Sequence, residues 1–147
     1  MKAIEILKQF DACDEACRSV GNLTLAQAWK KCERGDWMLW IAAKVLDRKI
    51  VVRAACAVAR TALKCVKPGE LRPLQCIEIT ERWCDGTATI AEVKVWRAAA
   101  AAYAADAADA YAANAAAAAY YAAAAAAAAY AAAYYASAAA YAAAYAA

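Results

Sequence analysis

AAAAAYAADAADAYAANAAAAAYYAAAAAAAAYAAAYYASAAAYAAAYAA, residues 98–147, is the stretch whose reading decides the fold of this chain. All nine Tyr of the protein lie in it, with two Asp, one Asn and one Ser among 37 Ala, and it holds neither Gly nor Pro. Ala has the highest helix propensity of any residue, so the local state is helix. Unbroken, the segment would extend about 75 Å at a rise of 1.5 Å per residue, far beyond the width of a small domain. Part of its surface must therefore be covered.

Ala offers little side-chain area, whereas each Tyr ring can bury about 150 Å² or more. The rings are thus expected to supply the buried face. At about 100° per residue Tyr120, Tyr130, Tyr134, Tyr141 and Tyr145 share a stripe about 80° wide, while Tyr103 and Tyr121 lie on another side with Tyr111 displaced from them. Two arrangements satisfy this: one long helix held between two surfaces, or a helical hairpin that turns near Asn114, the polar interruption between Asp109 and Ser137. Bare Ala surfaces let backbones approach closely, which suits either. The uncharged run 110–147 has no Leu, Ile, Val or Phe, so no membrane span is expected.

Residues 1–97 carry 29 of the 31 charged side chains, all five Trp and all seven Cys. They are read as a helical globular part, with 98–147 packed on it to make a single domain overall. An odd number of irregularly spaced Cys, and a charged, amphipathic first ten residues unlike a secretory leader, predict reduced thiols and a cytoplasmic protein. A net charge of +3 is too small to imply a nucleic-acid partner, and none is expected.

In chain order, Ile4, Leu7 and Phe10 share one helical face that Cys13, Cys17 and Val20 continue up to Gly21, with a break near Asp11. Thr24 with Gln27 forms a capping box for a helix that Gly35 is expected to stop. Asp36 is the expected cap of the next helix, which carries Trp37, Trp40, Ile41 and Leu46, and Asp47 caps a helix over residues 48–66. Pro68 and Gly69 mark a turn. Pro73 suits the first turn of a helix with Cys76, Ile77, Ile79 and Trp83 inside and Gly86 at its end. Thr89 and Glu92 make a second capping box, opening a helix that runs through Trp96 into the tail. No segment alternates as a half-buried strand does. The fold class is all-α, a bundle of short helices packed with a long Ala/Tyr-rich C-terminal helix or hairpin, and the structural core is expected at Trp37, Trp40, Ile77, Trp83 and Trp96.

The chain has no His, which removes the commonest general base and every Ser-His or Cys-His pair. Its four Gly are isolated, so there is no phosphate-cradling loop. Glu78 and Glu81 sit at a spacing that on a surface helix is usually solvated or salt-bridged. Cys13 and Cys17 would place two sulfurs together, but a structural zinc site needs a second pair or His, and buried thiols explain them as well. No catalytic residue, metal or cofactor is expected, and the chain is not read as an enzyme.

Lys49, Arg53, Arg60, Lys64 and Lys67 fall within about 60° of one helix face, and no acidic residue lies between Arg48 and Gly69. This stripe is the candidate partner-binding surface, suited to an acidic protein. As a solvated face it would pair in part with Glu78, Glu81 or Asp85 of a neighbouring helix.

Arg72, Pro73, Ile77, Glu78, Trp83 and Gly86, followed by an Ala-rich helical tail with scattered aromatics, resemble the alanine-rich immunity proteins of bacterial polymorphic toxin systems. Arg34-Gly35-Asp36-Trp37 with Trp40, and the Ala-Cys-Ala-x-Ala-Arg stretch ending at Arg60, look like the same group, and similar sequences occur in phage-derived genomes. The chain departs from the group in lacking His in the tail and in the purity of its Ala. The resemblance implies an all-α protein that neutralises a toxin by binding it, without catalysis. A phage-encoded inhibitor of a host defence enzyme would need the same physics. A structural homo-oligomer paired through the Ala-rich helix is the remaining expectation.

Overall fold

The computed structural model describes residues 1–107, 109–127 and 131–146. The chain is all-α. Its helices are α1 (Ala3–Gln9), α2 (Asp14–Val20), α3 (Leu25–Lys31), α4 (Gly35–Val45), α5 (Arg48–Ala62), α6 (Arg72–Asp85), α7 (Ile90–Asp106), α8 (Ala110–Ala127) and α9 (Ala132–Ala146), with a 3-10 turn at Leu63–Cys65 after α5. Among the described residues the extended pairing is confined to an isolated bridge between Lys2 and Thr24. No described helix is long and apolar enough to cross a membrane.

Local chemistry sets most boundaries. The Gln27 N–H donates to Thr24 Oγ1 at 3.3 Å while the Thr24 N–H donates to Gln27 Oε1 at 3.0 Å, and Thr89 with Glu92 repeats the arrangement at 3.2 and 2.7 Å. Asp47 accepts from the Lys49 N–H at 2.8 Å. Gly86 ends α6 at φ +79°, a left-handed geometry that a side chain would strain. Two assignments shift at α4. Gly35 opens this helix instead of stopping the one before, and Arg34 is the residue at the cap position. Asp36 therefore lies inside the first turn, where its carboxylate takes the Arg34 guanidinium instead of capping a backbone N–H.

The tail is neither one helix nor a hairpin turned at Asn114. Asn114 sits within α8, and the first break falls between Asp106 and Ala110. Asp106 ends α7, where a carboxylate meets the negative end of the helix dipole. Asp109 precedes α8 and accepts from the Tyr111 N–H at 2.7 Å, so an acidic cap begins a new helix. The residues joining α8 to α9 include Tyr130, which lies outside those described.

α8 is the axis of the molecule. α5, α6, α7 and α9 all pack on it, burying Ala112, Ala115, Ala116, Ala118, Ala119 and every residue from Ala122 to Ala126. Around it stand Val51, Val52, Ala55, Cys56 and Ala59 of α5, Cys76, Ile77 and Trp83 of α6, and Val93 and Ala100 of α7, with α9 adding Ala136, Ala139 and Ala143. The expected Tyr core is thus replaced by an Ala core. Methyl groups let helix backbones approach closely and contact one another over their whole length, whereas a ring there would force them apart and take its hydroxyl from water. Tyr103 is buried and Tyr120 and Tyr121 are half-buried, but Tyr134, Tyr141 and Tyr145 are 65%, 51% and 57% exposed.

Among the expected core residues, Ile77 and Trp83 are buried, and the Arg48 and Lys49 cations lie 5.2 and 5.7 Å from the Trp83 ring centre. Trp96 is half-buried at the edge of the main core. Trp37 and Trp40 are also half-buried, against a second cluster built on Leu7, Ala16 and Ile41, with Arg34 and Lys44 over their outer faces. Their amphipathic rings thus sit at the boundary with solvent, under cationic covers.

Candidate functional site

The two arginines of the basic stripe are engaged within the fold. Arg53 pairs with Asp85, and Arg60 donates through Nε and Nη2 to the two oxygens of Glu81 at 2.8 and 2.6 Å. These carboxylates raise both guanidinium pKa values and tie α5 to α6. Lys49 lies near Trp83. Lys64 and Lys67 are exposed, the former in the 3-10 turn and the latter beyond it, where the Lys67 backbone N–H donates to the Tyr103 hydroxyl at 3.3 Å. Of the five cations, the two arginines thus hold helices together.

A different surface gathers more unsatisfied recognition chemistry. α8 and α9 lie side by side, and with the first turn of α4 they form a trough of about 530 Å³ lined by Asp36, Asn114, Tyr121, Tyr134, Ser137, Tyr141 and Tyr145. Along α9, Tyr134, Ser137, Tyr141 and Tyr145 follow helical spacing and so share one face. Tyr141 and Tyr145 have ring centres 4.5 Å apart, and the neighbouring Tyr145 hydroxyl raises the Tyr141 pKa. At the other end Tyr121 stacks on Tyr135 with centres 6.4 Å apart, and Tyr135 in turn meets the edge of Tyr134. Each ring is braced by a neighbour, so little rotamer freedom is left to lose on binding.

At the α4 end of the trough Asp36 is held in an ion pair. Arg34 Nε and Nη2 donate to the Asp36 oxygens at 2.9 and 2.7 Å, and the guanidinium carbon stands 4.5 Å from the centre of the Trp37 ring. The guanidinium holds the Asp36 carboxyl below the usual carboxylate range. Asp36 is thereby a poor proton acceptor. Among the described residues no three His, Cys, Asp or Glu side chains converge as metal ligands. The arrangement offers aromatic faces, hydroxyls, one amide and the paired Asp36 carboxylate.

Reading the Tyr spacing from the sequence groups Tyr134, Tyr141 and Tyr145 on one face but assigns that face to the core, and it puts Tyr120 with them where the structure puts Tyr121 of α8. Asn114 is read as a breaker, and it lines the trough. Asp36 is the part for which no sequence signal exists, because only the packing of α4 on α9 brings it there. No protein-family model, curated protein or solved structure matches this chain.

Proposed function

We propose that the chain is a non-catalytic binding protein of the cytoplasm that neutralises a toxin, and that it grips this protein partner with the tyrosine trough of α8 and α9. The observation that carries the reading is the more than half-exposed state of Tyr134, Tyr141 and Tyr145 on one face of a helix with no charged residue. Tyr presents a large, rigid, amphipathic contact area and is enriched where proteins bind proteins, and Ser and Asn beside it supply adaptable hydrogen bonds. With no charge on α8 or α9, the association would depend little on salt. The immunity-protein resemblance of the motifs from Arg34 to Gly86 supplies the toxin as partner. Homo-oligomer formation through the Ala-rich helix is disfavoured, because the Ala face of α8 is already covered by helices of the same chain.

Co-production with a candidate toxin, should one be encoded beside the gene, tests this directly. The chain should restore growth, and a Tyr141→Ala, Tyr145→Ala double variant with unchanged helical content should not. Rescue by the double variant would remove the trough from the interface, and no rescue by the unaltered chain would remove neutralisation itself.

A further inference from the structure

The four N-terminal helices line a second concavity, on the other side of the Arg34–Asp36 pair from the trough. α3 stands apart from α1, α2 and α4, and between them lies a cavity of about 240 Å³ whose wall includes Leu7, Val20, Trp29, Trp37, Met38 and Ile41. It is a cleft open to solvent with a mainly apolar lining, the form that small-molecule sites usually take. This one has room for a body on the order of two fused aromatic rings.

α3 itself is built as a cover. None of its seven residues is buried, and Leu25 and Trp29 keep 38% and 43% of their surface exposed. It packs extensively on no other helix. Its attachment is at its N-terminal end, where the Ala3 N–H donates to the Leu23 carbonyl at 2.9 Å beside the Lys2–Thr24 bridge. The charges on the wall balance: Lys31 is offset by Glu33, and Arg34 is held by Asp36 just outside. An ion entering would lose its hydration without gaining a counter-charge, whereas a neutral apolar body loses nothing of that kind.

We propose that this cavity is a binding site for a small uncharged apolar molecule of bicyclic aromatic size, with α3 as its cover. Trp29 and Trp37 in its wall make their own emission a reporter of occupancy. The full chain titrated with 2-naphthalenemethanol, followed by calorimetry and tryptophan fluorescence, should bind one equivalent saturably. 2-Naphthoate, with the same rings and a carboxylate, should bind about tenfold more weakly or less. Ala28→Phe, which adds a ring to the wall from α3, should weaken 2-naphthalenemethanol binding at least about tenfold with helical circular dichroism unchanged. Should that variant not fold, Met38→Trp fills the same space from α4 and carries the same expectation. Absence of saturation up to the solubility limit of the probe, equal affinity for the naphthoate, or undiminished binding by a folded filled variant would each overturn the site.

Discussion

Arg60 and Glu81, one on α5 and one on α6, face each other through two parallel hydrogen bonds of 2.8 and 2.6 Å. A bidentate guanidinium–carboxylate pair is the strongest form of surface ion pair, but both side chains are partly exposed, which limits it to about 1 kcal/mol. Arg60→Glu should therefore lower stability by about 1 to 2 kcal/mol, because it both breaks the pair and sets two carboxylates together. Lys64→Glu, at a side chain with no carboxylate partner among those described, should change it by less than about 0.5 kcal/mol. Urea unfolding of the two variants decides this, and equal losses would mean that the pair contributes nothing.

Ala119 is fully buried on α8, and its carbonyl accepts the Cys76 thiol hydrogen at 3.5 Å. Adding three carbons there must push α6 away from the axis. Ala119→Leu should destabilise by about 1 to 3 kcal/mol or more, although Leu is itself a good helix former. Tyr134→Ala, on the open face, should cost less than about 1 kcal/mol. The reverse order would return the Tyr face to the core.

Helix periodicity, Thr–Gln and Thr–Glu capping boxes, Pro73 and Gly86 are local signals, and the all-α class was legible from them because each is settled within a few residues. The side of the tail that faces inward was not legible by the same means. Counting ring area favours burying Tyr134, Tyr141 and Tyr145, but that count omits the hydroxyls and the spacing between helices that a ring imposes. The break at Asp109 had a readable sign, an Asp ahead of an uncharged Ala run, yet Asn114 competes with it when position alone is weighed. The trough could not be read at all as a unit, because Asp36 and Tyr145 meet only once α4 has packed against α9. Pairings such as Arg53 with Asp85 depend in the same way on how α5 crosses α6.

Glu70 receives the Arg72 guanidinium on both oxygens, at 2.8 and 2.7 Å, and the Arg72 N–H at 2.9 Å. The guanidinium hydrogen bonds hold its carboxyl down at about 2, from an ordinary value of 4.5. A depressed carboxyl contributes stability that is complete above the ordinary value and is lost as pH falls through the depressed one. The stability difference between the unaltered chain and Glu70→Gln should thus hold steady above about pH 5 and shrink towards about pH 2. A pH-independent difference would show that the carboxylate charge plays no part.

Burial pushes the thiols of Cys56, Cys76 and Cys84 upward, that of Cys76 to about 12. Only the thiolate attacks a disulfide reagent. Near neutral pH the folded protein should react first at exposed Cys13, with these three protected until denaturant is added. Mass spectrometry of the partly labelled chain reads the order, and early labelling of Cys76 would mean that α6 detaches readily from α8.

The position of α8 in the sequence carries a consequence for synthesis. α5 and α6 leave the ribosome with Val51, Val52, Cys56, Cys76 and Ile77 already in place, but the helix they pack around begins only at Ala110. For the time that translation takes to cover the intervening residues, at about 5 to 20 residues per second, α5 and α6 have each other but lack the central helix that both pack against. A nascent chain that stalls before the alanine axis emerges exposes them to whatever chaperone or protease is nearby.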